Sequence, residues 1–242
     1  MLYHPTIEKL LGLRLNIMAK ALQEQLQSND VATLSFEERL GLLADREMSA
    51  RDTRQLNARL KQAHLRHNAC FEDLDKRPAR GFDRTLLEHL ENCQWIAKHR
   101  NGLITGLTGV GKSWLACALG HKACLQGYHA QYHRVSKLLG KLTVGHGDGS
   151  YDKQMRVLSR MDLLILDDFG LGDLSKQQLY DLLEILEERY DRRSTLVTSQ
   201  LPVQQWHGYL NEPALADAIL DRLIHNAYTI ELKGESMRKQ RA

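Results

Sequence analysis

One eight-residue segment, Gly-Leu-Thr-Gly-Val-Gly-Lys-Ser at 106–113, constrains the fold more than any other stretch of the chain. It fits the pattern G-x-x-x-x-G-K-[ST], in which glycines let backbone N–H groups approach phosphate oxygens. In this pattern Lys112 reaches the β and γ phosphates of a nucleotide, and Ser113 binds Mg²⁺. The apolar residues 102–105 before the segment are typical of a buried strand, and 114–119 after it are typical of a helix. A helix N-terminus attracts anions, so the sequence predicts a nucleoside triphosphate site.

The residues expected to bind the nucleotide are those of this loop and the first residue after it. They are Gly106, Leu107, Thr108, Gly109, Val110, Gly111, Lys112, Ser113 and Trp114. The expected cofactors are ATP and Mg²⁺. A chance match in a glycine-rich loop is the competing interpretation, and the strand-like and helix-like flanks argue against it.

A second motif follows about fifty residues later, where an apolar run ends in two acids, Leu-Leu-Ile-Leu-Asp-Asp at 163–168. This is the form of a Walker B element. Asp167 is expected to contact Mg²⁺ directly or through water, and Asp168 is placed to orient or polarise the attacking water. The alternative interpretation is a strand that merely ends in a turn. The position of the motif downstream of a phosphate-binding loop argues against this alternative.

From residue 100 onward, strand-like and helix-like segments alternate, which predicts an α/β fold with a parallel sheet. Five strands are expected, near 102–105, 129–134, 161–167, 195–198 and 227–231. A helix is expected at 85–99, before the first strand, and further helices are expected near 112–126, 151–159, 175–190 and 213–225. The glycine-rich residues 145–149 are expected to form a loop.

The N-terminal part of the chain predicts a small all-helical domain, 1–68, followed by an ATPase domain, 69–242. One helix is predicted by an apolar stripe at spacings of four and three: Leu11, Leu15, Met18, Leu22 and Leu26. Ser35 with Glu38 forms a capping box that opens a second helix. Ser49 with Asp52 resembles a weaker cap for a third helix, which would run to about Asn68.

The predicted third helix carries basic residues that fall within roughly 160° of one another at about 100° per residue. They are Arg51, Arg54, Arg59, Lys61 and Arg66. Between Arg46 and Arg66 the chain has six Lys or Arg and two acids, Glu47 and Asp52. The stripe is interpreted as a surface for DNA phosphates, or else as an ordinary solvated helix face.

Composition sets the broad class. The 242 residues are 43% hydrophobic and 26% charged, as in a globular protein, and the net charge of +3 is too small to imply nucleic acid by itself. No apolar run approaches membrane-spanning length and no signal peptide is evident, so no membrane partner is expected. The four cysteines form no C-x-x-C pair, which favours reduced thiols and a cytoplasmic location.

Five motifs occur in an order typical of one family: 106–113, 163–170 (Leu-Leu-Ile-Leu-Asp-Asp-Phe-Gly), 198–200 (Thr-Ser-Gln), 221–223 (Asp-Arg-Leu) and 234–238 (Gly-Glu-Ser-Met-Arg). Together they resemble the IstB/DnaC branch of the AAA+ ATPases, and most closely the IstB transposition helpers of bacterial insertion sequences. The resemblance covers nearly the whole chain, including Leu-Gly-Leu-Arg-Leu at 11–15 and Met-Ala-Lys-Ala-Leu at 18–22.

The resemblance implies further catalytic roles. Gln200 matches the sensor I position, with Thr198 and Ser199 as alternatives. Arg222 resembles an arginine finger that acts in a neighbouring subunit's site, and Arg238 resembles a sensor II arginine. For each arginine the alternative is a surface salt bridge.

Two departures from the family pattern qualify these roles. Most AAA+ proteins carry Glu where this chain has Asp168, which is one methylene shorter, so slow hydrolysis is expected unless a partner adjusts the site. Little or no C-terminal lid is expected after Arg238, and the lid usually carries sensor II.

The resemblance thus implies an ATP hydrolase that assembles as a homo-oligomer on double-stranded DNA and stimulates a transposase. A DnaC-like loader of a replicative helicase shares this ATPase core. A third interpretation is a nucleotide-gated DNA scaffold in which hydrolysis is incidental. A small-molecule P-loop kinase is less favoured, because it would not need the helical N-terminal segment.

Overall fold

The computed structural model describes residues 4–28, 33–74, 80–81 and 83–237. The chain forms two compact units, Met1–Ala58 and Arg59–Ala242. The division lies nearer the N-terminus than the boundary expected at residue 69, which stays a prediction.

The first unit is helical, with α1 at Pro5–Gly12, α2 at Asn16–Gln27 and most of α3, which spans Phe36–Ala63. The single helix expected from the first apolar stripe is wrong. The chain adopts a left-handed conformation at Arg14, with a φ of 60°, and this breaks the stripe into α1 and α2.

The capping box at Ser35 is confirmed. The Ser35 hydroxyl accepts the Glu38 N–H at 3.3 Å, and the Ser35 N–H donates to the Glu38 carboxylate at 2.8 Å. The separate third helix is wrong, because α3 continues through Ser49, whose carbonyl accepts the Thr53 hydroxyl at 2.8 Å. The helix ends at Ala63, where His64 takes a φ of 48°.

The second unit is an α/β domain. Its strands are β1 Gly102–Gly106, β2 Ala130–Arg134, β3 Leu163–Phe169, β4 Ser194–Ser199 and β5 Tyr228–Leu232. Its helices are α4 Arg84–Glu91, α5 Gln94–Ala97, α6 Lys112–Leu125, α7 Val135–Asp148, α8 Tyr151–Arg160, α9 Lys176–Arg189, α10 Trp206–Leu210 and α11 Pro213–Ile224. All five expected strands and the four helices expected after the first strand are present. The single helix expected at 85–99 is wrong, because Cys93 takes a left-handed φ of 56° between α4 and α5.

The five strands form one parallel sheet in the order β2-β3-β4-β1-β5. Strand β3 lies between β2 and β4, and β1 lies next to β4. The carboxyl ends of parallel strands meet at one edge of the sheet, where open α/β folds bind ligands. This edge carries the loop after β1 and the acids at the end of β3.

The expected loop at 145–149 is wrong, because 145–148 belong to α7. Gly145 is buried, and a Cβ there would lie 2.8 Å from Gln154 Nε2 and 3.2 Å from Tyr151 N. The glycine thus permits close packing of α7 on α8. His146 Nε2 also lies 2.9 Å from the buried Asp181 carboxylate on α9, which fixes the end of the helix.

Among the described residues after β5, 233–237, there is no helix. None of the described helices is long and apolar enough to cross a membrane.

Candidate nucleotide-binding site

The loop between β1 and α6 depends on three glycines in positive-φ conformations, at 143° for Gly106, 87° for Gly109 and 100° for Gly111. At Gly106 a Cβ would lie 2.3 Å from the Leu232 carbonyl oxygen, so no larger residue fits beside β5. Gly111 caps α6, whose first N–H groups are left without intrahelical partners and face the loop. This geometry suits an anionic phosphate chain.

Two polar side chains fix the loop. The buried Lys112 ammonium donates to the carbonyl oxygens of Gly106 at 2.7 Å and Leu107 at 2.8 Å. The Thr108 hydroxyl donates to Gln200 Oε1 at 2.7 Å. Gln200 directly follows β4. The residue expected at the sensor I position therefore contacts the phosphate-binding loop.

Asp167 is fully buried and accepts three hydroxyl groups. Its Oδ1 accepts Ser113 Oγ at 2.8 Å and also the Thr198 hydroxyl, while its Oδ2 accepts the Tyr132 hydroxyl. Burial, and then the hydrogen bond to Asp167, raise the pKa of Tyr132 well above its usual value. The carboxylate is therefore held in one orientation, with Oδ1 toward the first turn of α6.

The Ser113 hydroxyl and the Asp167 carboxylate form an oxygen donor set that fits Mg²⁺. This ion is usually bound through one or two carboxylates together with waters and substrate phosphates. Within the described ranges no group of three or more His, Cys, Asp or Glu residues could hold a metal ion, so a dedicated protein cage is absent there.

Asp168 is held differently from Asp167. Its φ is 62°, and the register with β4 is irregular between Leu166 and Phe169. Its N–H donates to Thr198 Oγ1 at 3.1 Å. Its Oδ2 lies 3.3 Å from Arg134 Nε and 4.0 Å from an Arg66 guanidinium nitrogen. The residue expected to polarise water is thus engaged in two ion pairs.

The three sensor I candidates occupy different positions. Thr198 bonds Asp167 and Asp168, as described above. The Ser199 hydroxyl donates to the Phe169 carbonyl at 2.7 Å and accepts the Leu201 N–H at 3.0 Å, which is a structural role. Gln200 is the candidate that contacts the loop, and its sensor role stays a prediction.

Arg222 lies near the end of α11. Its guanidinium is 3.4 Å from Glu187 and 3.2 Å from Asp221, and it lies 5.9 Å from the centre of the Tyr190 ring. None of these partners belongs to the phosphate-binding loop or to β3. Arg238 lies outside the described residues, so its role also stays a prediction.

Comparison with known proteins assigns the family. The model of the family described as IstB-like ATP binding protein matches residues 8–242. The chain belongs to this family. It is 53% identical over 239 residues to an insertion sequence ATP-binding protein of Sinorhizobium fredii, covering 99% of this chain and 98% of the relative.

Two solved structures share the fold of this family member. DnaI matches with a TM-score of 0.58 at 23% identity, and the match covers 69% of this chain and 92% of the DnaI chain. The DnaC helicase loader has a TM-score of 0.55 at 17% identity and covers 69% and 97%. These two matches concern the fold. The family match, together with the site described above, identifies a P-loop ATPase.

The residues of the expected basic stripe have several different partners. Arg51 and Arg54 lie 3.0 and 3.5 Å from the Glu47 carboxylate, which also accepts the N–H groups of Ile17 and Met18 at 3.0 Å. Lys61 is exposed.

The other two stripe residues lie, like Lys61, in the second unit. Arg59 Nε donates to the Cys124 carbonyl at 3.0 Å. Arg66 lies at the end of β3, 3.8 Å from Asp167 and 4.0 Å from Asp168. Whether any of the five binds DNA stays a prediction.

Three residues of the site were missed by the sequence analysis. Tyr132 and Arg134 lie on β2, where Tyr132 pairs in register with Ile165 and Arg134 with Asp167. Once β2 was placed beside β3, the polar residues at its carboxyl end could have been inferred from the parallel register. Arg80, whose guanidinium donates to the Val110 carbonyl, lies outside every motif named from the sequence.

Proposed function

We propose that this protein is an ATP-dependent DNA-binding helper of transposition. It would assemble on double-stranded target DNA, then recruit and stimulate a transposase. One observation carries the proposal: a complete P-loop and Walker B site lies in a chain that matches an insertion sequence ATP-binding protein over nearly the full length of both.

The chemistry follows from the site. Lys112 and the N–H groups of the loop would bind the phosphates of ATP, and Ser113 and Asp167 would hold Mg²⁺, which neutralises phosphate charge when bound. Asp168 would orient a water for attack on the γ-phosphorus and accept its proton. The bond from that phosphorus to the β–γ bridging oxygen breaks, and ADP and phosphate leave.

Assembly would supply the remaining cation. Arg222 is anchored on α11 by partners outside the nucleotide site, so we propose that it acts in the site of a neighbouring copy. There it would stabilise charge on the transferring phosphoryl group. Nucleotide binding, subunit contact and hydrolysis are coupled in this scheme.

DNA contact would use the exposed residues of the basic stripe that lie on α3, Arg51, Arg54 and Lys61. Arg51 and Arg54 share a single carboxylate, Glu47, and both guanidinium side chains remain at least half exposed. They can therefore approach phosphates without leaving that carboxylate. Recognition of this kind has little sequence preference, since phosphates carry no base information.

Two other functions remain candidates. A DnaC-like loader would use the same ATPase core with a replicative helicase as its partner. A nucleotide-gated scaffold is favoured by one observation, that the Asp168 carboxylate is paired with Arg134 and Arg66 rather than free to act on water. In a scaffold, ATP binding alone would drive assembly.

The deciding experiment combines the full-length protein with ATP, double-stranded DNA and either the transposase or the replicative helicase of the same cell. We expect DNA-stimulated phosphate release and ATP-dependent stimulation of strand transfer by the transposase. Loading of the helicase with no effect on the transposase would favour the loader. If Asp168→Asn assembles and continues to stimulate the transposase through repeated cycles, the scaffold is favoured.

The DNA surface has its own variant. Arg51, Arg54 and Lys61 changed together to Gln should weaken binding to all sequences alike and reduce the salt slope by roughly one per lost phosphate contact. The matched control changes Lys9, Lys20 and Arg46, three exposed cations of the first unit, to Gln. Equal affinity and salt slope in the two triple variants would show that DNA binds elsewhere.

A further inference from the structure

Arg66 places a positive charge between the two acids of the Walker B strand. One guanidinium nitrogen lies 3.8 Å from Asp167 Oδ2 and 4.0 Å from Asp168 Oδ2. These distances are nearly equal, so the side chain bridges the magnesium-site carboxylate and the water-orienting carboxylate. Burial alone would lower the pKa of Arg66, but the Tyr132 hydroxyl and the two carboxylates outweigh that effect and raise it.

The backbone that carries Arg66 is anchored on α6, the helix that follows the phosphate-binding loop. Arg59 Nε bonds the carbonyl of Cys124 in the last turn of α6. Ala63 is fully buried. Leu65 packs closely on Gly120, because a Cβ added at Gly120 would lie 2.9 Å from the Cδ2 methyl carbon of Leu65. The segment therefore holds Arg66 in a fixed position at the site, and its contact with the two acids is not a chance surface contact.

The ion pairs of Asp168 direct its carboxylate toward the edge strand of the sheet. Arg134 lies at the end of β2, on the side of β3 opposite to β4 and β1. The phosphate-binding loop follows β1. A carboxylate held by two guanidinium groups on the β2 side is less free to orient a water near the phosphates.

We propose that Arg66 is a positioning residue that restrains the Asp168 carboxylate, and that DNA phosphates relieve this restraint by competing for its guanidinium. The side chain is 36% exposed, so a phosphate can reach it. A guanidinium pairs with phosphate as well as with carboxylate, through the same donors. The DNA half rests on the proposed function; the restraint on Asp168 does not.

The test is steady-state ATP hydrolysis by the full-length Arg66→Gln variant, with and without double-stranded DNA. Without DNA, we expect kcat to rise roughly two- to fivefold, the range for one partly exposed ion pair, with KM for ATP unchanged. DNA should then add little further stimulation. The control is Arg46→Gln, which removes one positive charge from α3 and should behave like wild type.

Two further variants separate restraint from structure. Arg66→Lys keeps the charge but loses the planar donor pair, so its DNA-free rate should lie between those of wild type and Arg66→Gln. Asp168→Asn in the Arg66→Gln background should abolish the gain, because the gain acts through that carboxylate. A DNA-free rate in Arg66→Gln or Arg66→Lys at or below wild type overturns the proposal. Wild type that DNA fails to stimulate contradicts the proposed function, while a raised rate in Arg66→Gln still supports the restraint.

Discussion

At the scale of single residues, Lys112 is the side chain on which nucleotide binding depends. Its ammonium is buried and bonds two carbonyl oxygens of the loop, so it is already placed where phosphates would approach. Charge-assisted hydrogen bonds contribute about 1.5–3 kcal/mol each, so Lys112→Ala should weaken ATP binding by about 100-fold or more. Equilibrium titration with a fluorescent ATP analogue measures the loss.

The control for Lys112→Ala is Lys122→Ala on the same helix. Lys122 pairs with Glu72 and Glu91, away from the loop, and its variant should bind ATP like wild type. Undiminished Mg²⁺-dependent ATPase activity in Lys112→Ala would remove the P-loop assignment. A loss of affinity in both variants would instead indicate a general destabilisation of α6.

Single residues also show where sequence reasoning reached its limit. The P-loop and Walker B acids could be predicted because their chemistry is written in contiguous residues. The three hydroxyl donors of Asp167 could not, since Ser113, Tyr132 and Thr198 come from three different elements. The sequence pattern places Arg66 on a helical stripe, but the helix ends before the left-handed residue His64, and Arg66 lies beside the two acids of β3.

At the scale of elements, two helical glycines should respond oppositely to the same change. Gly140 on α7 has no atom within 4 Å of an added Cβ, so Gly140→Ala should stabilise the fold by about 0.5–1 kcal/mol through backbone entropy. At Gly120 on α6 a Cβ would lie 2.7 Å from Ile165 Cδ1. Gly120→Ala should therefore be about 1–3 kcal/mol less stable than Gly140→Ala, as overpacked cores are.

Urea unfolding of the two variants alongside wild type measures this difference. Both changes add one methyl group to a helix, so helix propensity cancels in the comparison and packing remains. Equal stability in the two variants would mean that the Ile165 and Leu65 side chains shift to admit the methyl group, and that the packing of Leu65 on Gly120 does not fix the segment.

Elements were predictable where hydrophobic patterning and length agreed. The strand β3 has an uninterrupted apolar run, as expected of a strand buried on both faces. Helix α7 was missed because three of its residues between 140 and 147 are glycines, which disfavour helix locally. Tertiary packing on α8 and the His146–Asp181 contact outweigh that preference, and neither is visible in a local window.

At the scale of the whole molecule, each nucleotide site brings together residues from much of the ATPase unit. The loop after β1, the ends of β2 and β3, the residue after β4 and the segment after α3 all contribute side chains. Among the catalytic candidates that the structure describes, Arg222 is the one whose contacts all lie outside the nucleotide site. Its placement gives the physical reason for expecting a multimer, in which one copy completes the site of the next.

Arg222→Ala tests that expectation. The α11 face carrying Ala216, Ile219 and Leu223 is buried, so the helix should stay in place when the partly exposed guanidinium is removed. ATP binding by the isolated chain should be unchanged, while ATP-dependent oligomers and DNA-stimulated hydrolysis should be lost, the latter by about 10³-fold for a trans-acting arginine. Sedimentation with ATP and DNA, together with phosphate release, measures both.

The control Arg192→Ala removes an exposed arginine after α9 and should assemble normally. An Arg222→Ala variant that assembles and hydrolyses ATP like wild type would rule out a trans-acting role, and each subunit would then have to complete its own site.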